Sequence, residues 1–256
     1  MIDSRAIIDS SAKISDDVEI GPWTYIGPHV EIGSGTKIAS HVVIKGPTKI
    51  GKNNQIFQFS SIGEDPQDKK FNGEPTLLEV GNNNIFRECC TINRGTVQGG
   101  GVTRIGNYNL IMAYVHVAHD CIIENDVILA NNAALSGHVV VHDYAILSGF
   151  SAVHQFCHIG SYSFLAGYTP VGKDVLPYVL VSGHEAAVCG LNTEGLKRRG
   201  FNAETINHLK RAYKIIFRSG LTVVQAQEQL QEMVSECPEV QLFIDSLKQS
   251  ARGIVR

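Results

Sequence analysis

A large aliphatic residue returns at every sixth position through two long stretches of this 256-residue chain. It runs from Ile8 through Ile14, Ile20, Ile26, Ile32, Ile38, Ile44, Ile50 and Ile56 to Ile62. It runs again from Ile105 through Ile111, Val117, Ile123, Leu129, Leu135, Val141, Leu147, Val153, Ile159 and Leu165 to Val171. No position of either ladder is polar. A period of six fits neither the 3.6 of an α-helix nor the alternation of a lone strand; it is one of the short repeats that mark solenoids. Each hexapeptide supplies a short strand and a corner, and three of them close a triangular coil. Successive coils then stack as parallel strands about 4.8 Å apart, so like positions pile onto like. Each buried aliphatic contributes roughly 1.5–3 kcal/mol, which such a fold needs because every coil touches only its neighbours.

Two residues before most ladder positions stands a small or β-branched residue (Ala6, Ala12, Val18, Thr24, Val30, Thr36), and Gly often follows, as in Ile20-Gly21 and Ile32-Gly33. The ladder breaks twice. Residues 63–76 and 94–103, polar and rich in Gly or Pro, fall outside it and are predicted to loop out, where binding residues are commonly carried. Beyond Asn192 the pattern turns helical. Ile206, Leu209, Tyr213, Ile216 and Phe217 share a face that ends at Gly220, Thr222 opens a second helix through Met233, and Pro238 introduces a third with Leu242 and Leu247. The predicted architecture is mainly β: a parallel β-helix of hexapeptide repeats over residues 1–190 with two excursions, then an α-helical domain over 191–256.

Hydrophobic content of 43% and charge of 18% describe an ordinary globular chain, and a net charge of −3 gives no reason to expect nucleic acid or a membrane surface as partner. No stretch approaches the roughly 18 apolar residues of a membrane span, and the first residues lack the order of a signal peptide. A cytoplasmic location is therefore expected. Six cysteines (89, 90, 121, 157, 189 and 237) form no C-x-x-C pair or zinc spacing and read as reduced core residues.

Six histidines lie along the second ladder, among them His116, His119, His138 and His154. Counted in coils of eighteen, His138 stacks over Asp120, Gly137 over His119 and His154 over Ser136, which brings three imidazoles near one edge of the prism. His142 and His158 fall elsewhere and are expected on the surface. The clustered rings are open to three readings: solvated corner groups, metal ligands, or general acid–base groups, for which an imidazole suits neutral pH.

The stretches QDKKFNGEPT, TINRGTVQGGG, HVAHDC, ILANNA, SGH, AVHQFCHIG and GLNTEGLKRRGF resemble the bacterial UDP-N-acetylglucosamine O-acyltransferases that begin lipid A synthesis, over essentially the whole chain. The resemblance implies left-handed winding and a homotrimer of parallel prisms with sites between subunits. The implied reaction moves an (R)-3-hydroxyacyl chain from acyl carrier protein to UDP-N-acetylglucosamine, with no metal or other cofactor. It implies His119 as general base, Asp120 as its orienting partner and the Gly137 N–H as oxyanion donor. By the same resemblance Asp68, Lys70, His116, His138, His154, Gln155, Asn192, Glu194, Arg198 and Arg199 contact substrate. Gly167 is implied to leave the acyl groove open for a chain of about twelve to fourteen carbons. Lys197, Arg198 and Arg199 are implied to form part of a basic surface for the carrier protein. Two rivals remain at this point: the N-acyltransferase of the same pathway, disfavoured because the ladder begins by Ile8, and a solenoid that only scaffolds partners.

Overall fold

The computed structural model describes residues 1–256, and the six-residue period becomes a triangular prism. Nine parallel strands from Ile7–Ile8 to Pro170–Val171 form its first face, and eight from Lys13–Ile14 to His158–Ile159 form the second. The third face has ten strands, beginning at Glu19–Ile20 and ending in a hairpin of Val179–Ser182 and Ala187–Leu191 whose last pairing is antiparallel. Registers are in phase: Ile8 lies beside Ile26, Ile26 beside Ile44, Ile44 beside Ile62, and Ile62 beside Ile92. The columns merge into one continuous apolar core that extends into the helices.

The outward face of the second sheet carries Lys13, Glu31, Lys49, Glu79 and Arg104 in one column. Neighbours alternate in sign, with Lys13 to Glu31 at 3.1 Å and Arg104 to Glu79 at 3.0 Å. Inside the prism one column departs from the small-residue rule. Asn54, Asn84 and Asn109 stand two residues before ladder positions and are buried, each amide bonding the next coil (Asn84 Nδ2 to Asn54 Oδ1, 3.0 Å; Asn109 N to Asn84 Oδ1, 2.9 Å). Such amides are tolerated because they satisfy one another.

From Tyr108 to Tyr168 the corner residue of every hexapeptide has left-handed backbone, among them Asp120 (φ +61°), His138 (+63°) and Phe156 (+64°). That conformation costs a non-glycine residue about 1–2 kcal/mol. An inter-coil hydrogen bond offsets it, as where Phe150 N–H donates to Asn131 O at 3.0 Å. So does stacking of corner rings, with Phe150 and Tyr168 4.9 Å apart and Tyr144 and Tyr162 4.7 Å apart.

Helices α1 (Thr193–Arg198), α2 (Ala203–Arg218), α3 (Val223–Met233) and α4 (Gln241–Gln249) follow the hairpin. A capping box at Thr222 and Gln225 starts α3. Ile206, Leu209, Ala212 and Ile216 are the buried face of α2. In α4, Phe243, Ile244 and Leu247 are buried while Leu242 is 37% exposed. The tail returns to the prism: Val255 N–H donates to Asp174 O, and Ser250 Oγ donates to the Asp174 carboxylate at 2.6 Å. No helix is long and apolar enough to cross a membrane.

Two expectations are corrected. His142 and His158 are not free surface groups; both are half-buried, their rings lie 5.8 Å apart, and His142 Nδ1 donates to Glu124 at 3.0 Å. Their position on the flat second face gives them neighbours above and below. Of the cysteines only Cys90, Cys121, Cys157 and Cys237 are buried, whereas Cys189 sits exposed on the hairpin.

Candidate active site

Both excursions leave the prism at the same edge, between the first and second faces: one joins Ser61–Glu64 to Leu77–Val80, the other Thr91–Asn93 to Val102–Ile105. The next turn at this edge, between His116–Val117 and Ile122–Ile123, carries His119 and Asp120. Because Asp120 is a left-handed corner residue, it stacks in one column with His138 and Phe156. His138 N–H donates to His119 O at 3.0 Å, which fixes the two coils together.

The Asp120 carboxylate is buried and takes three hydrogen bonds. His119 Nδ1 donates to Oδ2 at 2.7 Å, Thr96 N–H to Oδ1 at 2.7 Å and Thr96 Oγ to Oδ2 at 2.6 Å. Burial by itself would raise the pKa of this carboxyl. The bonds from His119 and Thr96 outweigh it and hold the group below its ordinary value, so Asp120 is ionised. With Nδ1–H committed to Asp120, the lone pair of His119 lies on Nε2, the nitrogen left to accept a proton.

His138 packs edge-on to His119 with centroids 5.2 Å apart, and its Nε2 is 3.7 Å from Asp120 Oδ2, too far for a hydrogen bond. Phe156 stacks on the other side of His138 at 4.4 Å. Burial lowers the His138 pKa, Asp120 counters this and His119 adds to it. His116 projects from the first face with Nδ1 2.8 Å from Thr91 Oγ1; burial, then the neighbouring His119, lowers its pKa. Both rings are thereby biased toward the neutral form.

Gly137 is buried one coil above His119, and an added Cβ would stand 2.6 Å from Cε1 and 2.9 Å from Nε2 of that imidazole. Its N–H donates to no group of the chain. A donor without a partner beside a base is the arrangement that can meet negative charge developing on an attacked carbonyl. Nitrogens of His119 and His138 and an oxygen of Asp120 lie within 4.8 Å of one another and are a donor set that could take a cation. The Asp120 oxygens are already engaged by hydrogen bonds.

The other expected site residues fall into two places. Asp68 and Lys70 stand on the first excursion, Asp68 half-buried and Lys70 exposed, with Lys70 N–H donating to Asp68 Oδ1 at 3.0 Å. His154 and Gln155 are exposed on the coil above His138, and His154 Nδ1 donates only to the Gln155 carbonyl at 3.2 Å. Phe156, not His154, lies against His138. Asn192, Glu194, Arg198 and Arg199 are elsewhere. With Ile128, Ile146, Phe164 and Leu180 of the third face they line a cavity of about 480 Å³. Asn192 caps α1 through Gly195 N–H and donates to Tyr162 O at 2.9 Å, and the Arg199 guanidinium lies 4.7 Å over the Tyr144 ring. The third face is opposite the histidine edge of the same prism. Gly167 lies exposed at the edge between the third and first faces, its added Cβ meeting only Gly149 O at 3.3 Å.

Sequence reading missed Thr96 and Phe156. Phe156 was within reach, being eighteen residues after His138; nothing in the sequence of a polar loop marks Thr96 as the partner of Asp120.

Comparison with known proteins finds relatives over the whole length of the chain. Residues 174–255 match the family profile of UDP-N-acetylglucosamine O-acyltransferase, domain 2, and residues 11–46 and 103–137 match the bacterial transferase hexapeptide repeat. The acyl-[acyl-carrier-protein]--UDP-N-acetylglucosamine O-acyltransferase of Pseudomonas entomophila is 57% identical, the match covering 100% of this chain and 99% of that protein. Among solved structures, LpxA from Acinetobacter baumannii superposes with a TM-score of 0.98 at 54% identity, covering 100% of this chain and 99% of that one. The UDP-N-acetylglucosamine O-acyltransferase of Moraxella catarrhalis gives 0.99 at 49% identity, with the same coverage.

Proposed function

The chain belongs to the UDP-N-acetylglucosamine O-acyltransferase family, and on that premise we propose that it transfers an (R)-3-hydroxyacyl chain from acyl carrier protein to the 3-hydroxyl of UDP-N-acetylglucosamine, the first step of lipid A synthesis. The observation that carries the reading is the buried, ionised Asp120 holding His119 by Nδ1, with Gly137 pressed against the ring.

In this reading His119 Nε2 takes the proton of the sugar hydroxyl as its oxygen attacks the thioester carbonyl. The Gly137 N–H meets the oxyanion, a contribution of about 3–4 kcal/mol for a fixed donor. The C–S bond then breaks, the new C–O ester forms, and the imidazolium returns its proton to the leaving thiolate. A thioester is already an activated donor, so neither a covalent enzyme intermediate nor a cofactor enters. Asp120 stabilises the imidazolium and keeps its tautomer. Asp68, Lys70, His116, His138, His154 and Gln155 bind along the histidine edge; Asn192, Glu194, Arg198 and Arg199 hold the nucleotide, the arginines suiting phosphate by their planar forks. Gly167 leaves room for the acyl chain.

Because these two groups occupy opposite sides of one prism, a complete site requires the edge of one subunit to meet the third face of another. This supports a homotrimer with sites between subunits. The reading also takes residues 1–190 as the β-helix that carries the chemistry, 191–256 as the helical domain that closes the nucleotide end, and the cytoplasm as the place of action.

The test is turnover of UDP-N-acetylglucosamine with 3-hydroxyacyl carrier protein, followed by mass spectrometry, with His119→Ala alongside and light scattering for the oligomer. An O-acylated sugar nucleotide from the wild type and almost none from a folded, trimeric variant is expected. No product at any chain length would refute the substrate assignment, and undiminished product in the variant would refute the base. An N-linked product would mark the N-acyltransferase, and binding without turnover a scaffold.

A further inference from the structure

The second excursion contributes no group to the reaction just described, yet it grips both halves of the histidine edge. On one side it holds the first excursion. The Arg94 side chain is only 7% exposed; its guanidinium pairs with Asp65, donates through Nη1 to Gly63 O at 3.0 Å, and lies 5.8 Å over the Phe71 ring. Asn93 Nδ2 donates to Asp65 O at 2.8 Å, and Arg94 N–H to Glu64 O at 3.0 Å. The far stem is tied as well, Gly95 N–H donating to Leu77 O at 3.3 Å and Leu77 N–H to Gly101 O at 2.8 Å. On the other side Thr96 supplies two of the three hydrogen bonds to Asp120. A Cβ on Gly99 would overlap that carboxylate, so the backbone passes directly against it.

We infer that residues 93–99 are a clamp that sets the Asp68–Lys70 loop at a fixed distance from the His119–Asp120 pair. Arg94 is a positioning residue for the sugar nucleotide, and Thr96 a positioning residue for the base. A polar loop outside the ladder has little apolar surface of its own to hold one conformation against its entropy. A guanidinium that bridges two acceptors and a ring supplies that order, and an ammonium cannot reproduce its fork. Thr96 acts differently: by bonding both oxygens of Asp120, Oδ1 through its N–H and Oδ2 through its hydroxyl, it fixes the plane of the carboxylate in which Oδ2 also accepts the imidazole. The inference rests on the roles given above to Asp68, Lys70 and His119.

Two side chains two residues apart should therefore fail in different kinetic parameters. Steady-state kinetics with UDP-N-acetylglucosamine varied at saturating acyl carrier protein would compare wild type, Arg94→Lys, Phe71→Leu, Thr96→Val and Thr96→Ser, each with its melting temperature. Arg94→Lys is expected to raise KM for the sugar nucleotide about five- to tenfold with kcat within about twofold. Phe71→Leu, which leaves the Arg94–Asp65 ion pair intact, should move KM the same way by less. Thr96→Val is expected to lower kcat about tenfold with KM within about twofold, and Thr96→Ser to restore it. Equal losses in both parameters that follow the melting temperature would reduce the clamp to a structural support and overturn the inference. So would an unchanged KM in Arg94→Lys beside an active wild type, which leaves the reaction standing. A wild type inactive on every donor would overturn both together.

Discussion

Gly137→Ala isolates the geometry of the base from its chemistry, since it removes no functional group. The added Cβ would lie 2.6 Å from His119 Cε1, about 0.8 Å short of ordinary contact. The coil cannot yield easily, because the Gly137 carbonyl accepts from Phe156 N–H at 3.2 Å and Ser136 N–H donates to Val153 O at 3.0 Å. The imidazole must give instead. Moving it by that amount stretches the 2.7 Å bond to Asp120 to the limit of a hydrogen bond. Losing a charge-assisted bond costs about 1.5–3 kcal/mol, and a misplacement of about 1 Å at a reacting group can cost about a hundredfold in rate. A fall in kcat of about a hundredfold is therefore expected, with a melting temperature lower by about 3–12 °C from the lost bond. Gly190→Ala, whose Cβ meets nothing within 4 Å, serves as control. Folded Gly137→Ala enzyme that keeps kcat within about threefold would refute the idea that the ring is wedged between Asp120 and this glycine.

Leu129→Ala, at a fully buried rung, should cost about 2–5 kcal/mol in denaturant melts; a loss below about 1 kcal/mol would contradict a close-packed ladder. The hydrogen bond from His142 lowers the Glu124 pKa from its ordinary 4.5. A depressed carboxyl stabilises the fold above its unfolded value and loses that contribution as pH falls through the folded one. The wild-type advantage over Glu124→Gln, about 0.5–1 kcal/mol for a partly exposed pair at pH 6, should therefore shrink below pH 4.5; an advantage that grew toward acid would reverse the sign. Gly167→Met should shift donor preference toward shorter acyl chains in direct competition, and an unaltered preference would remove Gly167 from the acyl path.

The prism was legible because one residue type recurs with one period, and the core consists of little else. The stacking of His138 on Asp120 followed from counting in eighteens, and the same count applied once more reaches Phe156. What periodicity cannot supply is the content of the segments that leave it. Thr96 and Arg94 stand in a polar loop, and their partners are separated from them by 24 and 29 residues. The buried asparagine column escaped for a different reason: each amide is acceptable inside only because another stands one coil away. His142 and His158 were misplaced by the same omission, since a lone imidazole on a strand or just past its end looks exposed until its neighbours above and below are counted.

The alternating charges on the second face act as a parity check on assembly. Columns of isoleucine are degenerate: a coil that skipped its proper neighbour and settled on the next would still find isoleucine beside isoleucine. The charged column is not degenerate, because a skip of one places Lys13 beside Lys49, Glu31 beside Glu79 and Lys49 beside Arg104. Each exposed like-charge contact costs only about 0.2–1 kcal/mol, but the penalties all point the same way and fall on the one error that the core is unable to detect.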